Sequence, residues 1–454
     1  MSRLGLSKLH HLRLVSDAAR VARVALVARV AQLTCVVVVS LLVGAIAASP
    51  AFAQPVAPEK ITFQDAIARA LQRNPTIAEA ASDIIRAEAL LRQVRSGSFP
   101  QASGSLQTTI STPVLKFDNN DISPRTQFTG SATASQLIYG PFQWALVNQA
   151  KDNKVVAERG LDETRRQIAL AAAEAFLTII TERRIVENSQ VALDTAKAHF
   201  DYAHQLQEKG AGSRLNELRA QQEFSADQVT LENAGIAIYR AQEALGVLLA
   251  ADGPIDAADE PALTLPSPPD TVADRVIERA DVKLAASREV AARRVLSDSW
   301  KEYLPTLTGS FTPSYLNPST LFSPRWSTRT LFAFDINIFD SGLRAGRKAE
   351  RAAVLTNVNL EGQQTRRQAA SEIRTATEAV RSAERAVQSA RAAADQAKQV
   401  VDITTVAFKA GATTNIEVID AQRESRDAAN AAAVAEDTLR RARLDLLVSS
   451  GRFP

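Results

Sequence analysis

Two long stretches of the chain carry apolar residues at every seventh position, with polar and charged residues between them. They run from about residue 142 to 207 and from about 342 to 408. A seven-residue apolar repeat predicts helices that supercoil against their neighbours, with the apolar stripe as the buried seam. At about 1.5 Å per residue, each predicted helix spans about 100 Å, far more than a compact domain requires. The stripe positions are Ile179, Val186, Leu193 and Phe200 in the first stretch, and Ile373, Val380, Val387, Ala394, Val401 and Phe408 in the second.

The two stretches share one register, because each stripe position of the first recurs 201 residues later in the second. The following segments repeat at the same distance: residues 210–221 read GAGSRLNELRAQ, and residues 411–422 read GATTNIEVIDAQ. A shared register predicts a duplicated unit. In each copy, a glycine-marked reversal leads into a return helix, at about residues 214–249 and 415–449.

A different pattern precedes each long helix, at about residues 101–139 and 305–339. Small and apolar residues there alternate with polar ones on both sides of a polar loop, which predicts a β-hairpin. The alternation fits a membrane barrel strand better than a water-facing sheet. Four strands cannot close a barrel, which needs at least about eight, and open edges do not survive in lipid. The pattern therefore predicts an oligomer that shares one transmembrane barrel, continued by a long coiled-coil tunnel.

These elements divide the chain into two repeats, residues 54–249 and 271–454. Thr62 is placed to cap a first helix, and Asn74-Pro75 interrupts that helix. Residues 250–270 hold five prolines and five acidic residues without a helical pattern, which predicts a linker. The fold class expected is α plus transmembrane β.

Residues 1–53 have the features of a secretory signal. A basic segment precedes the apolar run of residues 36–48, and Ala51-Phe52-Ala53 forms a cleavage pattern before Gln54. We therefore predict cleavage between Ala53 and Gln54. The only cysteine, Cys35, lies in this leader outside a lipid-attachment signal, so the mature chain is expected to lack disulfides and thiol chemistry.

Charge and motifs exclude several functions. The formal net charge is +3, but the leader carries six basic residues against one acidic residue, so nothing global indicates nucleic-acid binding. His199 and His204 are five residues apart and lie on different helix faces, without acidic or cysteine ligands at a fitting spacing. No phosphate-binding loop, nucleophile elbow or zinc motif is present. We expect no cofactor and no enzymatic activity.

The mature chain resembles the outer membrane efflux protein, or TolC, family. The resemblance rests on TFQDAIARALQRNP at residues 62–75, Leu304-Pro305, IFDSG at residues 338–342 and the paired glycine turns. It implies a homotrimer with one shared barrel in outer membrane lipid and a helical tunnel in the periplasm. It also implies two protein partners: a periplasmic adaptor and an inner-membrane transporter, either ABC or proton-driven.

The resemblance also assigns residues to the tunnel mouth. Glu417 and Asp420 share one helix face, and the family has carboxylates lining the constricted mouth at these matching positions. The ordinary alternative is a solvated helix face. Their counterparts in the first repeat are Asn216 and Arg219.

The chain departs from the family at the residues that latch the mouth. Phe408 and Thr413 stand where the family has Tyr and Arg, so the hydroxyl and guanidinium are missing. Arg214 or Arg219 is the candidate replacement for the positive partner. The glycine-marked reversals are the expected docking points for the adaptor, although glycine there also simply permits the backbone to turn. The docking residues are Gly210, Gly212, Ser213, Gly411 and Thr414.

Two alternatives remain open from the sequence. The duct could serve type I protein secretion rather than small-molecule efflux, and the missing lipid-attachment cysteine leans slightly towards the unlipidated ducts that are shared or that secrete proteins. A more distant alternative is a soluble periplasmic coiled-coil scaffold without a pore, which leaves the alternating β-hairpins unexplained.

Overall fold

The computed structural model describes residues 58–112, 115–117, 120–264, 272–320 and 323–453. The predicted leader, with the cleavage site between Ala53 and Gln54, lies outside the described residues, as does the end of the predicted linker. The described elements, in chain order, are β1 (Glu59–Ile61), α1 (Phe63–Arg73), α2 (Pro75–Ser96), β2 (Gln101–Ile110), β3 (Leu115–Phe117), β4 (Asn120–Ser123), β5 (Thr126–Tyr139), α3 (Pro141–Glu208), α4 (Arg214–Leu248), β6 (Ile255–Ala257), α5 (Val272–Glu278), α6 (Ala280–Ser297), a 3₁₀ helix (Asp298–Tyr303), β7 (Thr306–Asn317), β8 (Trp326–Asp335), α7 (Leu343–Lys409) and α8 (Asn415–Ser449).

Two helical hairpins dominate the chain. The first helical hairpin is α3 with α4, and the second is α7 with α8; α3 has 68 residues and α7 has 67. Each long helix is therefore about 100 Å long. Both are rich in Ala, Arg, Gln and Glu, which favour helix over long runs, and their ends lie close to the predicted bounds. Among the described residues, no helix combines the length and apolarity needed to cross a bilayer.

The apolar stripe is buried unevenly along the hairpins. Ile179, Val380 and Val387 are buried, whereas Phe200 and Val401 nearer the reversals are only partly buried. In that part of α3, three small residues spaced seven apart are buried instead, Ser189, Ala196 and Ala203, together with His199. Small side chains let neighbouring helices approach closely, so the seam there runs three residues away from the predicted one.

The largest apolar core lies midway along the first helical hairpin. Phe176 is fully buried and packs edge-on against Phe63 of α1, with ring centroids 5.4 Å apart. Leu245 from α4 and Leu444 from α8 complete the contact from both return helices. Thr62 caps α1 by accepting a hydrogen bond from the Asp65 amide, as the sequence predicts.

The linker contains a strand that the sequence pattern does not reveal. β6 pairs in parallel with β1, so that Ile61 lies beside Ala257. Both strands have three residues, too few to establish an alternation. The buried Ile255 and Ala257 attach the start of the linker to the core.

Strands from both repeats form one antiparallel sheet in the order β2-β5-β7-β8. A row of serines crosses all four strands on one face, where Ser105 bonds to Ser131 and Ser314 bonds to Ser327. The opposite face is apolar and uncovered: Leu106 is 79% exposed and Phe332 is 68% exposed. The sheet therefore separates a polar face from an apolar face, and β2 and β8 are its edge strands.

Candidate functional site

The two helical hairpins reverse through the same backbone motif. We call residues 209–213 the first tip and residues 410–414 the second tip. Gly210 has φ +71° and Gly411 has φ +74°, the left-handed region that favours glycine. In each case the next amide bonds back into the helix: Ala211 N to Leu206 O, and Ala412 N to Ala407 O, both at 2.8 Å. Both long helices therefore end in a glycine cap of the Schellman type.

The side chains around the first tip form a self-contained polar cluster. Ser213 accepts a hydrogen bond from the Asn216 amide at 3.3 Å. Glu217, only 4% exposed, receives hydrogen bonds from His204 Nδ1 at 2.8 Å and from Arg214 Nη1 at 2.5 Å. These bonds, His204's first, lower the pKa of Glu217, and the same carboxylate raises the pKa of His204. The cluster joins the end of α3 to the start of α4.

The second tip has a different arrangement, because Asn415, which directly follows it, bonds to the other helical hairpin. Thr414 makes no side-chain cap. The buried Asn415 accepts a hydrogen bond from His199 Nε2 at 2.7 Å and donates to the Asn216 carbonyl at 3.2 Å. The Phe408 ring lies 5.3 Å from the His199 ring. We call His199, Asn415, Asn216 and Phe408 the inter-hairpin clasp.

Further from the tips, four charged residues connect α4 to α8. Glu223 and Asp227 on α4 are buried, at 2% and 3% exposure. Arg423 bonds to Glu223 at 2.5 Å, and Arg426 bonds to Asp227 and lies 3.7 Å from Glu223. Burial raises the pKa of Asp227 and outweighs the opposing effect of Arg426. We call these four residues the arginine lock.

The predicted mouth residues occupy the exposed side of α8. Glu417 and Asp420 are both exposed in its first turns, while Val418 and Ile419 between them are buried. Asp420 lies 4.0 Å from Arg423. Arg214 is bound by Glu217 rather than by either of these carboxylates. Within the described chain, neither Glu417 nor the exposed Arg219 has a side-chain partner.

Sequence reasoning missed most of the residues that join the two helical hairpins. The sequence spacing argues against a metal site at His199 but does not indicate that this residue joins the two helical hairpins, and the described residues contain no group suited to hold a metal ion. The lock residues Glu223 and Arg423 sit in regular helix, where charged side chains usually face water. One signal was available. Arg423 and Arg426 align with Gln222 and Ser225 in the repeat, so the two copies differ where they touch.

A protein-family comparison decides the assignment. The model described as "Outer membrane efflux protein" matches residues 66–251 and 276–452. The chain belongs to this family. Membership confirms the resemblance to the TolC family and places the chain in the outer membrane, reaching into the periplasm, as a transport channel rather than an enzyme.

Solved structures show the same fold at low sequence identity. A membrane protein from Pseudomonas aeruginosa has a TM-score of 0.77 and 18% identity, covering 88% of this chain and 97% of that one. The outer membrane protein VceC from Vibrio cholerae has a TM-score of 0.73 and 19% sequence identity, covering 86% of this chain and 96% of that one. The Campylobacter jejuni CmeC outer membrane channel has a TM-score of 0.76 and 14% sequence identity, covering 86% of each chain. No curated protein sequence matches the chain.

Proposed function

We propose that three copies of this chain form the outer-membrane exit duct of a tripartite export system. The observation that carries the proposal is the four-stranded sheet with one serine-rich face and one uncovered apolar face. Lipid requires every backbone edge to be paired. If β2 of one copy pairs with β8 of the next, three copies close a barrel of about 12 strands. The apolar face then meets lipid and the serine face lines the channel.

The helical hairpins continue this barrel as a tunnel in the periplasm. Their length of about 100 Å suits a conduit that crosses a gap. A soluble scaffold would account for the helices but not for the uncovered apolar sheet face. The tunnel would receive substrates from an inner-membrane transporter through a periplasmic adaptor.

The adaptor is proposed to dock at the two tips. Gly210, Ser213, Gly411 and Thr414 are exposed there, and Gly212 is partly exposed. The matching backbone at both tips supports this assignment, since an adaptor could use one binding mode at two places in each subunit.

The mouth is proposed to lie beside the second tip. Exposed Glu417 and Asp420 would form two stacked rings of three carboxylates in a threefold assembly, which favours passage of cations over anions. The inter-hairpin clasp and the arginine lock would hold the mouth closed, in the place of the family's Tyr and Arg at Phe408 and Thr413. Arg219, exposed and without a partner in the described chain, would pair across to a neighbouring subunit.

Small-molecule efflux is the function that the family description supports best. The second candidate is type I protein secretion, which the absence of a lipid-attachment cysteine in the leader favours.

Complementation separates the two functions. The chain would be expressed with its genetic neighbours in a host that lacks its own exit ducts, and drug tolerance and secreted protein would both be measured. Restored drug tolerance supports efflux, and a secreted polypeptide with unchanged tolerance supports secretion. Failure to restore either, with the protein present in the outer membrane, would contradict the proposed duct.

A further inference from the structure

His199 is a buried titratable group at the contact between the two helical hairpins. It lies on α3 and is 7% exposed. Its ring contacts Phe408 at the end of α7, and its Nε2 bonds to Asn415 at the start of α8. Both neighbours flank the second tip, so one imidazole touches the two ends of the opposite reversal.

The hydrogen bonds define which form of the ring fits this place. Asn415 donates its amide to the Asn216 carbonyl, so its side-chain oxygen accepts from His199 Nε2–H. A neutral imidazole supplies that single donor and leaves the remaining ring surface for Phe408. A second proton would add a full charge to a site that excludes water, and burying a charge without a paired counter-charge is costly.

The charged groups around His199 either contact other residues or lie on an exposed helix face. From α4, Arg214 and Glu217 bind each other, and Glu217 also binds His204. From α7, the Lys409 ammonium lies over the Tyr202 ring at 5.9 Å. From α8, Glu417 is on the exposed side of the helix. Burial is the largest influence on His199 and lowers its pKa, with the Asn415 hydrogen bond opposing.

We propose that His199 makes the contact between the helical hairpins acid-sensitive, so that its protonation releases the second tip from the first helical hairpin. This inference rests on the proposed function for its consequence, because release of the second tip opens the duct only if the mouth lies there.

The direction follows from proton linkage. A histidine whose pKa is lowered in the packed state stabilises that state above its ordinary pKa of about 6.5 and loses this contribution as the pH falls through the lowered value. Once the pH is below the lowered value, the ratio of released to packed protein should have risen by about tenfold for each unit by which the pKa is lowered. His204 and Asp227 have raised pKa values, so acid favours their packed states and does not explain release.

Hydrogen exchange of the purified full-length protein tests the release without relying on channel activity. Exchange of residues 408–419 would be compared at about pH 7.5 and about pH 5.5, a window above the ordinary carboxylate range, after correction for intrinsic rates. We expect faster exchange at the lower pH in the wild type. His199→Gln keeps an N–H donor without a titratable ring, so its exchange should be the same at both values. His204→Gln is the matched control and should keep the acid response.

Conductance of the same preparations in planar bilayers separates this inference from the proposed function. Acid-dependent exchange with a parallel rise in resting conductance supports both the histidine contact and the proposed position of the mouth. Acid-dependent exchange with constant conductance supports the histidine contact and contradicts the position of the mouth. No acid response of residues 408–419, or an equal response in His199→Gln, would overturn the inference. His199→Arg, with a permanent charge, provides a second check: its tip should exchange rapidly at both pH values.

Discussion

The two tips share a backbone but differ in what holds them. At the first tip, Glu217 binds His204 and Arg214, all within the first helical hairpin. The equivalent of Glu217 at the second tip is Val418, which is fully buried and makes no polar contact. The second tip instead bonds through Asn415 to His199. The first tip is therefore held by its own helices, and the second depends on the other helical hairpin.

This difference shows how a duplicated unit gains two roles. The Schellman-type reversal around Gly210 and Gly411 is retained in both copies, because a left-handed residue is needed to end each long helix. The side chains have diverged, so that polar contacts hold the first tip within its own helical hairpin and join the start of α8 to the other helical hairpin. Under the proposed function, the second helical hairpin would be the one that moves when the mouth opens.

Removing one arginine of the lock should have the largest effect on this difference. Arg426→Ala leaves the buried Asp227 without its partner, and an uncompensated buried charge costs about 3–5 kcal/mol. We expect faster proteolysis of the second tip and little change at the first. Arg381→Ala is the matched control on α7, because its pair with Glu378 is exposed on both sides and should contribute little. If the second tip is cleaved at the same rate in Arg426→Ala as in Arg381→Ala, the arginine lock does not hold that tip.

Exchanging equivalent residues between the tips should have the next largest effect. Val418→Glu places a carboxylate in a buried apolar position, which costs about 3 kcal/mol of stability. Thermal unfolding of the detergent-solubilised protein would measure this loss. The reverse change, Glu217→Val, removes an acceptor from two part-exposed donors that water can solvate, so its loss should be smaller. A larger loss from Glu217→Val would mean that the first tip is the dependent one.

The two cap glycines should respond equally, because the backbone motif is the shared feature. Gly210→Ala and Gly411→Ala force a side chain into the left-handed region, at a cost of about 1–2 kcal/mol each. Gly235→Ala is the control: it lies inside α4 with open space around it, where alanine should stabilise the helix by about 1 kcal/mol. Denaturant unfolding measures all three. Stabilisation by Gly411→Ala would show that the second reversal does not need glycine.

The smallest expected effect is a pH dependence of the first tip opposite to that proposed for the second. The raised pKa of His204 means that its contribution is complete below its ordinary value of about 6.5 and is lost as the pH rises through the raised value. Hydrogen exchange of residues 206–214 should therefore speed up on the alkaline side. Glu217→Gln removes the carboxylate that raises the pKa of His204 most and should weaken this dependence, while Glu208 retains a smaller effect.

The sequence predicted the long helices because their signals are long. The seven-residue stripe and the 201-residue offset locate α3, α4, α7 and α8 from many positions at once. The strands β1 and β6 were missed, because three residues are too few to establish a pattern. The shift of the seam towards Ala196 and Ala203 was also missed, because small residues give weak apolar signals even where they pack most closely.

The candidate site was harder to predict, because its contacts join distant positions. Glu223 and Arg423 are 200 residues apart and each lies in a regular amphipathic helix. Without knowing how α4 meets α8, both side chains fit a solvated face. Glu417 and Asp420 were easier to place, because their three-residue spacing puts them on one face of a helix, and both are exposed on α8.

We propose above all that the chain forms a channel whose mouth lies beside the second tip and is lined by Glu417 and Asp420. Planar-bilayer recording of the reconstituted protein tests it most directly, by comparing the wild type with Glu417→Gln combined with Asp420→Asn. We expect a cation-selective wild type and weakened cation selectivity in the double variant, because the two carboxylate rings are neutralised. In the same recordings, Arg219→Ala should raise the resting conductance. Wild-type selectivity in the double variant, with wild-type resting conductance in Arg219→Ala, would contradict the claim.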